Sequence, residues 1–236
     1  MAATGSARGM ALTPELVALC RREEADPGPD PAYTALEEAD YDQLADRLHG
    51  ELGEDPLWLF AYGSLIWKPE FDYVERHRAL LHGWHRSFCL HLTRWRGMPH
   101  QPGLMLALDS GGRCNGVAYR LLPERRREQI RRLVYREVGS HEDTYTVRWV
   151  NAHTPEGPVR ALGFWIGPKG PRAVRRQPLE QVAHILARAC GHGGSCAEYL
   201  YNTVSHLEAF GIRDRNLWRL QELVAEEIRA LAGARP

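Results

Sequence analysis

Between Leu57 and Trp165 the chain is a succession of short apolar or alternating segments, and this block is what most limits the architecture. "LWLFAY", "RALLHGWHRSFCLHL", "GLMLALD", "NGVAYRLL", "TYTVRWVNAH" and "VRALGFWI" are each bounded by Gly, Pro, Asp or Asn, the pattern of strands joined by turns. One helical pattern, "PERRREQIRRLVYREV" from Pro123, interrupts them. Upstream, "TPELVALCRREEA" has Thr13 as a cap and Pro14 at the first helical position, a good helix start. "DPGPDPAY" breaks that helix, and "TALEEADYDQLADRLHGEL" is a second, amphipathic one. Downstream of "GPKGPRAVRRQP" come "LEQVAHILARAC", "SCAEYLYNTVSHLEAFG" and "DRNLWRLQELVAEEIRAL". Strands flanked by helices, rather than alternating with them, give an α+β fold with a curved or barrel-like sheet. The expected division is a helical N-terminal arm over 1–55 and a main domain over 56–236.

Composition narrows the function classes. Thirty basic residues balance thirty acidic ones, so no net field draws the chain to nucleic acid or an anionic membrane. Five cysteines form an odd set with no C-x-x-C pair, which argues against a disulfide framework or zinc ribbon and fits a reducing cytosol. No stretch has the apolar length of a membrane span, and the N-terminal residues lack a signal-peptide core. A cytoplasmic protein is expected.

Within the first strand, "FAYGSLIW" breaks at Gly63-Ser64 and then resumes apolar character. A hairpin or bulge glycine accounts for that step. So does a cradle for an anion or carbonyl, because a small-residue turn exposes successive backbone N–H groups and glycine admits a close ligand. A serine nucleophile is disfavoured: the G-x-S-x-G elbow is absent and no His and Asp can be matched to it. Nor is there a G-x-x-x-x-G-K-[ST] phosphate loop.

Glu137 follows Ile130, Leu133 and Val134 by seven, four and three residues, which places its carboxylate on the apolar stripe of its helix. Such a carboxylate costs free energy unless it is paired or working. Two readings stay open, an ion pair with an arginine such as Arg136 or Arg94, and a general base tuned by partial burial. "RWRGMPHQPG", over 94–103, is either a pocket-lining loop or a plain strand connection. Cys190, His192 and Cys196 lack a fourth ligand and the usual pair spacing, so a metal site is disfavoured. Tyr199 lies in the first turn of its helix and either reaches a pocket with its hydroxyl or simply packs. His82 and His85 are expected on opposite faces of a strand.

Taken together, "WLFAYGSLIWKPEF", "GWHRSFCLHLTRWRGMPHQPGLMLAL", "GGRCNGVAYRL", the "YRE" of Glu137 and "AEYLYNTVSHLEAFGIRDRNLWRL" resemble the ChaC-type γ-glutamylcyclotransferases, the glutathione-specific branch of the γ-glutamylcyclotransferase superfamily. The resemblance runs from about Trp58 to Leu220. It implies a small mixed β-barrel with packed helices, and cleavage of glutathione to 5-oxoproline and cysteinylglycine without metal, nucleotide or other cofactor. Carried over, the catalytic acid/base is Glu137 and the substrate loop is Phe60, Ala61, Tyr62, Gly63, Ser64 and Leu65, with Tyr199 contacting the γ-glutamyl group. Two departures stand out: Ala61 replaces the usual glycine, and "REVGSHEDTY" gives a longer, more polar loop after the acid. The alternatives are a cyclotransferase for other γ-glutamyl peptides or γ-glutamylamines, and a non-catalytic module holding RNA or another anion on the arginines of 125–132 and 172–176.

Overall fold

The computed structural model describes residues 9–167 and 172–234. The first eight residues of the expected arm, and 168–171 in the connection rich in Gly, Pro and Arg, lie outside the described residues. The centre is a closed five-stranded barrel in the order β1-β3-β2-β4-β5, formed by β1 (Trp58–Ala61), β2 (Tyr73–Leu92), β3 (Gly103–Leu121), β4 (Val147–Thr154) and β5 (Gly157–Phe164). β1 pairs antiparallel with β3 and parallel with β5, through Trp58 with Ala161 and Leu59 with Leu162, which closes the sheet. Closure leaves no exposed ladder edge. The α+β barrel expected from the strand block is therefore what forms.

Two strand patterns read as separate, "GLMLALD" and "NGVAYRLL", are one long strand, β3, paired with β2 along its whole length. The intervening "SGGRC" does not turn the chain. Gly111 and Gly112, at φ 96° and 74°, face the single residue Gly83, at φ 78°, across a register shift between His82 and Trp84. These glycines accept a bulge that bends the ribbon without ending it.

Seven helices of the described residues cover the barrel: α1 (Pro14–Ala18), α2 (Glu38–Leu52), α3 (Ser64–Trp67), α4 (Arg126–Glu137), α5 (Leu179–Arg188), α6 (Cys196–Ala209) and α7 (Arg215–Gly233). Thr13 caps α1 by accepting from the Leu16 N–H, as its sequence position implied, but the helix ends after five residues. α4 starts three residues later than Pro123 suggests, because Arg125 adopts the left-handed region at φ 56°. The short α3, directly after the Gly63-Ser64 step, was not expected.

The arm shares the main core. Leu12, Cys20, Tyr41, Leu44, Ala45, Leu48 and Leu52 belong to the same buried apolar cluster as Leu59, Leu81, Ile130 and Val224. The outer face of α4 is then tied down by charge. Arg127 pairs with Asp42 and Asp46, and Arg131 with Glu38 and Asp42, all three acids on α2. Leu48→Ala removes a fully buried side chain from α2 and is expected to cost about 3 kcal/mol. Calorimetry should show one cooperative transition moved to lower temperature; a separate early transition for the arm would contradict a shared core.

Candidate active site

β1 ends at Ala61, and the chain passes through Tyr62 and Gly63 into α3. Gly63 is the N-cap residue of that short helix and has φ −144° and ψ −127°, so a positive φ is not what calls for glycine here. The reason is space: a Cβ on Gly63 would lie 2.7 Å from the Tyr199 hydroxyl oxygen. The break in "FAYGSLIW" is thus the point where α6 brings its tyrosine against the strand end. Tyr199 is held edge-on by Trp67 and Phe88, with ring centroids 5.7 and 6.0 Å away. Ser64, through its backbone and side chain, lies close enough to that hydroxyl to lower its pKa against the larger effect of burial. Ser64 therefore supports a tyrosine.

Glu137 is the last residue of α4, on the same stripe as the buried Ile130, Leu133 and Val134. Its side chain retains 20% exposure, and Arg136 Nε lies 3.0 Å from its Oε1. Arg136 also donates to the Lys68 and Pro69 carbonyls and pairs with Glu70 at 3.2 Å. The carboxylate is thereby linked to the chain leaving α3. Arg94, the other partner considered for Glu137, instead forms a bidentate pair with Asp26.

Loss of hydration raises the Glu137 pKa above the usual carboxylate value, and the Arg136 charge and hydrogen bond only partly offset it. The same charge reaches both tyrosines. Burial and then Glu137 push the Tyr199 phenol up to about 12, and the same two causes, in the same order, raise Tyr62 well above its ordinary value. Segments distant in sequence, 62–64, 137 and 199, thus form one electrostatic unit. Both phenols remain protonated donors at neutral pH.

Phe60, Ala61 and Leu65 are buried in the apolar core, and the Phe60 ring lies against Gly116 of β3. Tyr62 belongs to the same cluster, so the loop is anchored in the core on both sides of Gly63. Arg96, from "RWRGMPHQPG", lies with its guanidinium carbon 5.6 Å from the Tyr199 ring centre and 5.8 Å from that of Trp67. It is fixed by the Ser195 carbonyl and Glu198, each at 2.7 Å. His100, from the same loop, instead lines a separate cavity of about 350 Å³ with Arg22 and Arg188. A groove of about 720 Å³ runs between α4 and the 69–72 segment, bordered by Glu70, Phe71 and Arg136. None of Tyr62, Gly63, Ser64, Glu137 or Tyr199 lines that groove.

The Cys190 thiol donates to the Arg22 and Gly191 carbonyls, and Cys196 to those of Arg96 and Leu104. These contacts are those of small buried side chains. His192 stacks on Trp95 at 4.6 Å.

Sequence reasoning passed over Arg86. It lies on β2 two residues before the buried Phe88, and is itself buried. That period-two relation, which puts both on one strand face, is the signal that could have found it.

The ChaC-like protein family model matches residues 57–227. The glutathione-specific gamma-glutamylcyclotransferase of Escherichia coli strain K12 is 37% identical over 194 residues, 79% of this chain and 83% of its own length. Mouse glutathione-specific gamma-glutamylcyclotransferase 1 is 32% identical over 166 residues, 69% of this chain and 74% of its own. The crystal structure of the yeast gamma-glutamyl cyclotransferase specific to glutathione superposes with a TM-score of 0.63 at 23% identity, covering 72% of this chain and 96% of that one. That likeness extends to the barrel with its packed helices. A family model running from β1 into α7, and bacterial and mammalian relatives matching over most of their lengths, establish that this chain belongs to the ChaC-like protein family.

Proposed function

We propose that this protein is a glutathione-specific γ-glutamylcyclotransferase, which cleaves glutathione to 5-oxoproline and cysteinylglycine with Glu137 as its acid/base. The observation that carries the assignment of roles is a partly open carboxylate of raised pKa at the end of a core-facing helix stripe, within electrostatic reach of Tyr62 and Tyr199. Names of the E. coli and mouse relatives supply the substrate.

In this reading the α-amine of the γ-glutamyl group attacks its own γ-carbonyl carbon. The new C–N bond closes a five-membered lactam, and the old amide C–N bond breaks. An unperturbed α-amine titrates at about 8, so most of it carries a proton at neutral pH. That first proton leaves to solvent as the amine becomes nucleophilic. As the C–N bond forms, Glu137 accepts the second proton from the attacking nitrogen and passes it to the departing cysteinylglycine amine, so one carboxylate completes the cycle. A raised pKa suits both halves, because a stronger base takes the proton more readily and the resulting acid still gives it up near neutrality. The turn at Tyr62–Ser64 supplies backbone N–H groups for the substrate carboxylate or the developing oxyanion, and Tyr199 adds a hydroxyl at its edge. A tight site also folds the flexible γ-glutamyl chain into attack geometry. No metal or nucleotide is required by this chemistry.

Cyclisation of other γ-glutamyl peptides is the nearest alternative substrate choice, and a substrate panel separates it: cleavage of γ-glutamyl-alanine but not of glutathione would overturn the glutathione assignment. Binding of RNA on the arginine clusters is disfavoured by local neutralisation. Arg125 pairs with Glu128, Arg126 with Glu54, Arg172 with Asp143 and Arg175 with Asp109. Among the described residues no helix is long and apolar enough to cross a membrane, and the five cysteines are buried free thiols, which supports a reducing, cytoplasmic setting.

Glu137→Gln is expected to stay folded and bind glutathione while 5-oxoproline release, followed by mass spectrometry, falls by at least about 10³-fold. Normal turnover by this variant would overturn the mechanism. Because Glu137 is raised in the folded state, its proton is held more tightly there than in the unfolded chain. Stability therefore declines as pH rises from the ordinary glutamate range through the raised value. Glu137→Gln should melt no lower than wild type at neutral pH, with the difference shrinking as pH falls through that window. The acid limb of kcat/KM should lie above the ordinary glutamate range in the same enzyme. Gly63→Ala places a methyl against the Tyr199 hydroxyl and is expected to lose about 10² in kcat/KM; combining it with Tyr199→Phe should recover part of the lost Tm.

A further inference from the structure

Arg86 is a charged side chain where the barrel offers apolar neighbours. It projects from β2, opposite Leu108 of β3, and its side chain is only 2% exposed. Burying a guanidinium costs several kcal/mol unless partners compensate, and here compensation is incomplete. Nε lies 3.1 Å from Asp214 Oδ2, and Nη1 donates to the Tyr62 carbonyl at 2.8 Å. The Asp214 contact is an ion pair by distance without hydrogen-bond geometry, so Nε and Nη2 are both buried with no hydrogen-bond partner among the described residues. Asp214 caps α7, accepting from the Asn216 and Leu217 N–H groups through Oδ1. A brace between β2 and α7 would need only that carboxylate. The contact with Tyr62 adds something the brace does not require.

The Tyr62–Gly63 peptide is trans. In a planar trans peptide the C=O and the following N–H point in opposite directions. Fixing the Tyr62 carbonyl on Arg86 therefore fixes the Gly63 N–H on the opposite side. Among the described residues that N–H donates to no protein acceptor. Gly63 is also the residue on which a Cβ would meet the Tyr199 hydroxyl, so its peptide lies beside that tyrosine, between Tyr62 and Ser64.

We propose that Arg86 is a positioning residue for the reaction: by gripping the Tyr62 carbonyl it aims the Gly63 N–H at the oxygen that gains charge when the γ-carbonyl is attacked. This rests on the cyclotransferase reading and adds a residue to it. The group never touches substrate. It acts by denying the peptide plane its freedom to rotate, so that the donor is already oriented when charge develops. Guanidinium geometry suits the task, because two separate nitrogens serve Asp214 and Tyr62 along divergent directions, whereas an ammonium is a point charge on a shorter reach.

The decisive comparison is between Arg86→Lys and Asp214→Asn. Lysine keeps a positive charge for Asp214 and loses the fork. Arg86→Lys is expected to remain folded by circular dichroism, to lose about 10² in kcat, and to change KM by less than about threefold, since an oxyanion donor acts on the transition state. Asparagine keeps the α7 cap but removes the buried counter-charge. Asp214→Asn is expected to lower Tm while kcat stays within about threefold, because the Tyr62 contact survives. A folded Arg86→Lys enzyme with wild-type kcat overturns the proposal. So does an equal kcat loss in Asp214→Asn, which would make Arg86 a structural brace alone. Should Arg86→Lys fail to fold, Glu137→Gln labelled with 15N-glycine and titrated with glutathione decides the matter. The Gly63 amide resonance must move on binding; an unmoved resonance sinks the role. Failure of the reaction reading is separately visible, as unimpaired 5-oxoproline release by Glu137→Gln.

Discussion

The dehydration of Glu137 is the constraint around which this structure is arranged. A carboxylate on the buried stripe of a helix loses water, and the protein replaces only part of what is lost, through a single guanidinium on the adjacent residue. Arg136 does not collapse into a closed pair with it, because its remaining donors are committed to the Lys68 and Pro69 carbonyls and to Glu70. A fully satisfied ion pair would drive the carboxyl well below its ordinary range. Sharing Arg136 with the segment after α3 leaves Glu137 more basic than usual and ties its position to the same loop that carries Gly63. The ion-pair and general-base readings are thus compatible: one contact fixes the side chain, and incomplete compensation leaves its pKa raised, as the proposed acid/base role requires.

The arm and the loop after the acid complete this arrangement from the other side. Tyr41 donates to the Val138 carbonyl at 3.1 Å, and the His141 N–H donates to the Thr34 carbonyl at 2.9 Å. Thr34 donates to Glu142 through its N–H and its hydroxyl, and a β-bridge joins Ala35 to Ser140. All of these contacts fall within the residues directly following Glu137. The extra polar residues of "VGSHEDTY" are therefore spent on docking, in a 3-10 turn over His141–Thr146 that the arm covers. The longer, more polar loop noted after the acid thus faces the arm.

Much of the site was legible because its logic is local. Glu137 announced itself through helix periodicity, and Gly63 through its improbability within an apolar strand. Tyr199 was visible only as a residue able to face either way, since nothing in "EYLYNT" tells which strand end its hydroxyl meets. The barrel followed from the strand block, yet β3 was divided at glycines that bend the ribbon, because a turn and a bulge draw on the same residue types. Phe60, Ala61 and Leu65 were grouped with the cradle by adjacency, and the structure buries them together with Tyr62 in one continuous apolar run.

Arg86 marks the limit of pattern reading most clearly. Period-two alternation puts it inside, while its charge argues for outside, and a sequence supplies no way to see Asp214 and the Tyr62 carbonyl waiting across more than a hundred residues and twenty-four residues respectively. Burial of charge is tolerated where it secures geometry that apolar packing cannot. Hydrophobic contacts hold a peptide group in place but do not select which way its N–H faces; a donor on the carbonyl does. In a barrel otherwise closed by Leu59, Leu81 and Leu108, that is a physical reason for an arginine to remain where a leucine or methionine would cost less to bury.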